Sequence, residues 1–131
     1  EALQRGDGKL RTPKDTFDFL RSKLESELQE VFIVLSLNSL SVVIAAHEVT
    51  RGILNASLVH PREVFAPALV DRAAGIIIAH NHPSGDPTPS SDDRTVTRQL
   101  VEAGRVLDIP VYDHVIIGQG RFVSLVEAGL M

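Results

Sequence analysis

Cysteine is missing from all 131 residues. That absence excludes disulfides, thiolate metal ligands and cysteine nucleophiles, and it suits a reducing compartment, so a cytoplasmic location is the expectation. Positive charge is scarce as well. Lys and Arg number 13 against 17 Asp and Glu, a formal net charge of −4. This offers no field for a phosphate backbone, and nucleic acid is not expected to be gripped by this domain alone. No apolar run approaches the ~20 residues that span a bilayer, and no charged-then-apolar leader opens the chain, so no membrane association is expected. Repeats and low-complexity tracts are absent too. The length fits one domain, which can bury roughly two-thirds of its unfolded surface without staples.

The opening EALQRGDGKLRTP is polar and aperiodic. Residues 1–11 read as a disordered or linker segment, residues 12–131 as the domain, and the whole as a piece of a longer protein. Thr12 is an N-cap with Pro13 at the first helical position. Phe17, Leu20, Leu24 and Leu28 then recur at helical spacing, predicting an amphipathic helix to about Ser26. VFIVLSL (31–37) and VVIAA (42–46) are apolar runs joined by NSLS, a predicted hairpin. His60 and Pro61 open a second helix, which Pro67 is expected to kink or restart. Gly75 launches the strand GIIIA. Val96, Leu100, Ala103 and Leu107 mark a third helix that Pro110 stops, and VYDHVIIG and RFVSLV flank Gly118-Gln119-Gly120 as a closing hairpin. Its edge near Arg121 is a surface on which homo-oligomers could form. Helices and strands in this order predict an α/β fold with helices packed on a largely buried sheet.

The segment IIIAHNHPSGDPTPSSDD (76–93) carries the chemistry. His80 and His82 stand two apart at a strand end, so their side chains leave on one face about 6 to 7 Å apart at Cβ. Zinc takes nitrogens at roughly 2.0 to 2.1 Å in tetrahedral array, and three protein ligands leave one position for solvent. Asp93 is the natural third ligand, because the Pro- and Gly-rich loop is long enough to turn back and an anion suits the first turn of a helix. Ser90-x-x-Asp93 equally reads as a capping box that needs no metal. Both readings stand at this point.

The stretch HNHPSGDPTPSSDD resembles the metal-binding signature of the JAMM metallopeptidases of the JAB/MPN superfamily, and HNHPSG with DHVIIG downstream is similar to the RadC family. The likeness extends over about residues 12–130. It implies a curved mixed sheet flanked by helices, the JAB/MPN (cytidine-deaminase-like) architecture. It further implies zinc as cofactor held by His80, His82 and Asp93, Ser90 supporting the transition state, and Glu30 as the acid/base. The implied activity is hydrolysis of amide or isopeptide bonds in a peptide or protein substrate. RadC's traditional association with DNA repair does not follow from such a site, and ubiquitin specificity is not implied, because the loops are short. Glu48 is the fallback base. Asp113 and His114 read as a core pair, with an outer supporting role for Asp113 as the alternative. Arg62, in HPREVF, matches the RadC pattern and also reads as a surface arginine. His47 and His60 carry no spacing signal.

The rival functions are a non-catalytic protein-binding scaffold and a DNA-repair accessory module with a structural metal. Other metal and nuclease motifs fail. A zinc deaminase needs C-x-x-C; H-x-H-x-D-H would require Asp and His where Ser84 and Gly85 stand; H-E-x-x-H is absent. HNH at 80–82 is not the nuclease signature, whose residues are scattered through a ββα unit.

Overall fold

The computed structural model describes residues 8–52 and 57–131. Its centre is a pair of strands so apolar that both faces must be covered. β1 (Val31–Leu37) and β3 (Gly75–Asn81) are buried at every position. Alternation sorts their side chains. Val31, Ile33, Leu35, Leu37, Ile77 and Ala79 pack with Phe17, Leu20 and Leu24 of α1 (Pro13–Leu24). Phe32, Val34, Ile76 and Ile78 pack instead with Val64 and Phe65 of α2 (Pro61–Val70) and with Val96 and Leu100 of α3 (Ser91–Leu107). The result is three layers, with α1 on one face of the sheet and α2 and α3 on the other.

The sheet order is β2-β1-β3-β4-β5, where β2 is Val43–Arg51, β4 Val111–Ile117 and β5 Phe122–Ser124. β1 runs antiparallel to β2 and β3, β3 runs parallel to β4 across α3, and β4 pairs antiparallel with β5. Both predicted hairpins form, so the architecture is the mixed, helix-flanked α/β sheet.

Several boundaries differ from expectation. α1 ends at Leu24, and Leu28, beyond it, is 92% exposed. β2 is longer than predicted because its alternating burial lets polar residues continue an edge strand. α2 passes through Pro67 without a break. In α3 the buried stripe is Asp93, Val96, Thr97, Leu100 and Gly104, whereas Leu107 is exposed. Gly104 is there because a Cβ would lie 2.4 Å from the Ile109 carbonyl oxygen. Of the expected linker, residues 1–7 lie outside the described residues. Lys9 forms a bridge with Val42, and Leu10 joins the core beside α1.

Among the described residues, no helix is long and apolar enough to cross a membrane.

Candidate metal centre

Strand parity puts His80 on the α3 face, since it shares the even positions of Ile76 and Ile78. His82 follows just beyond the strand, its backbone N–H donating to the Ile117 carbonyl. The loop after it is held against the β4–β5 hairpin. The Gln119 N–H donates to the Gly85 carbonyl, and Gly118 must lack a side chain because a Cβ there would meet that same oxygen at 2.3 Å. Thus tethered, the chain enters α3 with Ser90 as N-cap.

The capping box is real. The Asp93 N–H donates to Ser90 Oγ at 3.0 Å, and the Ser90 N–H donates to Asp93 Oδ2 at 2.8 Å. The same carboxylate also faces the imidazoles. Asp93 Oδ1 is 3.1 Å from His80 Nε2, Asp93 Oδ2 is 3.1 Å from His82 Nε2, and the two Nε2 atoms are 3.1 Å apart. The carboxylate that closes the cap is therefore the one that faces the two imidazoles, and the cap orients it toward them.

Glu30 immediately precedes β1. Phe32 pairs with His80 in the antiparallel register, and extending that register by two residues sets Glu30 across from His82. Ligand atoms of Glu30, His80 and His82 lie within 4.8 Å of one another, a group that can hold a metal ion. Asn81, which points the other way, fixes this segment: its Oδ1 accepts from the Val31 N–H at 2.7 Å and its Nδ2 donates to the Gln29 carbonyl at 2.9 Å. The residues on either side of Glu30 are thus tied by one buried amide. Sequence reasoning missed Asn81, whose place between the two histidines was the available signal.

The electrostatics favour a positive charge at this point. The His82 Nδ1–H donates to the Asp86 carbonyl at 2.9 Å; in the neutral ring this leaves the Nε2 lone pair aimed at Asp93. Burial pushes the His82 pKa down, but the bonds with Asp93 and Asp86 outweigh it and the net shift is upward. For Asp93, burial pushes the pKa up and the facing His80 and His82 hold it well below the usual carboxylate range. A carboxylate 1% exposed beside two ring nitrogens favours a positive charge among them, whether a proton or a cation. The 3.1 Å between the two Nε2 atoms is close to the edge of about 3.3 Å expected between nitrogen donors on a tetrahedral zinc ion, and each nitrogen has one Asp93 oxygen at 3.1 Å. The donor set therefore fits a borderline divalent metal. An open depression of about 440 Å³ reaches this cluster, lined by Glu30, His82, Pro83, Ser90 and Asp93 among others.

The remaining candidates are placed elsewhere. Glu48 pairs with Ile33 and so lies on the α1 face, its carboxylate bonded to Arg51 at 2.9 and 3.1 Å. Arg51 holds its pKa below the ordinary value. Asp113 also lies on the α1 side of the sheet, because His114 on its neighbouring position faces α3. Its carboxylate accepts from the His114 N–H, the Val126 N–H and the Ser124 hydroxyl, which anchors the C-terminal segment and makes no bond to a ring of the cluster. The expected Asp113–His114 pairing is thus a backbone bond. The His114 ring instead meets His80, with Nε2 2.9 Å from His80 Nδ1. Arg62 is exposed in the first turn of α2, 3.8 Å from Glu63. His60 is that helix's N-cap, without a side-chain capping bond, and His47 Nε2 is 2.7 Å from Asp71 Oδ2.

A family model for the RadC-like JAB domain matches residues 10–130. The chain belongs to the RadC-like JAB domain family. A UPF0758 protein of Trichlorobacter lovleyi is 48% identical over 120 residues, 92% of this chain and 52% of that protein. One from Methanosarcina mazei is 46% identical over 123 residues, 94% and 54% of the two chains. One from Methanospirillum hungatei is 56% identical over 108 residues, 82% and 48%. The chain thus spans about half the length of the curated relatives it matches. Among the described residues, the five-stranded mixed sheet with three helices is consistent with the JAB/MPN fold of the RadC-like family, and the HNHPSG segment spans the end of β3 and the loop after it.

Proposed function

We propose that this RadC-like domain is a zinc-dependent hydrolase of the JAMM type, a metallopeptidase acting on amide or isopeptide bonds of a peptide or protein. The observation that supports it most is the approach of His80 Nε2 and His82 Nε2 to each other at 3.1 Å, and of each to one oxygen of the Asp93 carboxylate at 3.1 Å. These three residues hold the metal, and Glu30, half-buried on the rim of the depression and within 4.8 Å of the two histidines, is the acid/base.

When bound, zinc supplies Lewis acidity, which makes water a usable nucleophile near neutral pH and polarises a carbonyl. Glu30 accepts the proton of the attacking water and returns it to the leaving amine, a role worth about 10²- to 10⁴-fold in rate. Asn81 keeps Glu30 at that position through the backbone on both sides. Ser90 is exposed, and its oxygen already accepts from the Asp93 N–H. Its hydroxyl hydrogen can therefore turn outward to the oxygen that gains charge as the carbonyl is attacked, a contribution of about 3 kcal/mol for a well-aimed donor.

Metal analysis of the purified protein beside a His80→Ala, His82→Ala double variant tests the reading. Stoichiometric zinc in the parent, lost in the variant without loss of fold, is the expected result. Collapse of the variant's fold would mark the metal as structural, and a metal-free parent would leave a scaffold. Glu30→Gln should keep zinc and lose hydrolysis of a peptide amide by the 10²- to 10⁴-fold assigned to the base; unchanged turnover would remove Glu30 from the mechanism.

A further inference from the structure

We propose that Thr97 and His114 are positioning residues that commit His80 to offering its Nε2 lone pair to the metal, an inference that rests on the zinc reading above. The two residues come from different elements, α3 and β4, and neither touches the open depression. Thr97 Oγ1 is 2.7 Å from the Asp93 carbonyl oxygen and 2.6 Å from His114 Nδ1. His114 Nε2 is 2.9 Å from His80 Nδ1. The path therefore leaves the metal cluster at one ligand, His80, and returns to it at the backbone of another, Asp93.

Burial makes the direction of these bonds consequential. His80 and His114 are 0% exposed and Thr97 is 2% exposed. Phe32 stacks on the His80 ring at 5.9 Å and meets His114 edge-on at 5.8 Å. Each hydrogen must accordingly find its partner inside the chain of groups. A threonine hydroxyl has one hydrogen, and a carbonyl can only accept. If Thr97 donates to the Asp93 carbonyl, its oxygen receives the His114 Nδ1–H. His114 Nε2 then accepts the His80 Nδ1–H, and His80 Nε2 is a bare lone pair facing Asp93 and His82. The reverse order turns the Thr97 hydrogen to His114 Nδ1, gives His114 an Nε2–H that donates to His80, and puts a hydrogen on His80 Nε2 where the cation belongs. Both orders contain the same hydrogens. Only the first is compatible with a metal, and the Asp93 carbonyl, four residues before Thr97 on the helix, is what stabilises it. Without the hydroxyl, a His114 Nδ1–H would be a buried donor with no acceptor, and the metal-blocking order would gain.

Zinc titration against a competing chelator, with the parent, Thr97→Val and Thr97→Ser, tests this, together with the ¹⁵N ring shifts of His80 and His114 in the zinc-loaded parent. Thr97→Val should bind zinc about 10- to 100-fold more weakly, as loss of an outer hydrogen bond to a ligand commonly does. Thr97→Ser should restore affinity close to that of the parent, which a purely steric role for the threonine methyl would not allow. In the loaded parent both rings should carry hydrogen on Nδ1. Parent-like affinity in Thr97→Val, or hydrogen on His114 Nε2 in the loaded parent, would overturn the inference while leaving the zinc reading intact. A parent that binds no zinc would overturn both. The ring-shift measurement needs no substitution, so it decides even if Thr97→Val fails to fold.

Discussion

Two histidine–aspartate contacts lie on the same face of the sheet, at different places. In one, His47 Nε2 meets Asp71 Oδ2 at 2.7 Å, tying the edge strand β2 to the end of α2. In the other, His80 and His82 meet Asp93 at 3.1 Å each, with a third ring behind them. The first is a single donor and a single acceptor, half open to water, and it is complete with its own hydrogen. The second crowds two ring nitrogens and a carboxylate around one point, and the other nitrogen of each ring is already engaged. Proximity of imidazole and carboxylate is common to both. What sets the second apart is that two ring nitrogens and a buried carboxylate face one another while the other nitrogen of each ring is engaged, an arrangement able to take up a cation.

The largest effect that sharpens this contrast is on metal affinity. Asp93→Asn removes the charge and one ligand oxygen and should weaken zinc binding by at least about a hundredfold, whereas Asp71→Asn should leave it unchanged. Isothermal titration of both variants measures the pair. Equal losses would mean that zinc binds diffusely to surface histidines, and the distinction drawn from geometry would fall.

A smaller effect comes from the far side of the same strand. Asn81→Ala strips the buried Val31 N–H of its acceptor and the Gln29 carbonyl of its donor, at about 1–3 kcal/mol for the buried N–H left unsatisfied. Thermal melting of the metal-free protein should show that loss, with zinc stoichiometry retained, because Asn81 points away from the cluster. If Glu30 is held by this clamp, turnover should fall further than the small change in zinc affinity explains.

Legibility in the sequence followed locality. His80 and His82 share a face by strand parity, and Ser90 and Asp93 are three apart at a helix start, so all four could be read from neighbours. Strand pairing could not. Glu30 is opposite His82 only because β1 and β3 pair antiparallel in one register, and resemblance, not spacing, pointed to it. Glu48, the fallback, has the right chemistry at the end of a strand, but its pairing with Ile33 puts it on the other face. His114 depends on a parallel register with a shift between Ile76 and Ile77, which nothing local encodes. Thr97 was within reach: four residues after Asp93, it had to share that residue's helix face. The early end of α1 and the exposure of Leu28 show the reverse error, an apolar spacing that continues past the end of the helix.

The smallest expected effect tests the simpler of the two contacts by pH. The His47 hydrogen bond holds the Asp71 pKa below its ordinary value. A carboxyl whose folded pKa is depressed contributes stability that is complete above its unfolded pKa, about 3.9, and is lost as pH falls through the lower folded value. Partial exposure of both side chains limits the contribution to about 0.5–1 kcal/mol. The stability difference between the parent and Asp71→Asn should then be present at about pH 5 and close progressively below about pH 4. Added zinc should raise the melting temperature of both proteins equally without altering that gap, since a ligand stabilises only through the site it occupies. A gap that widened or vanished with zinc would couple the two contacts and show that the face of the sheet responds as one unit.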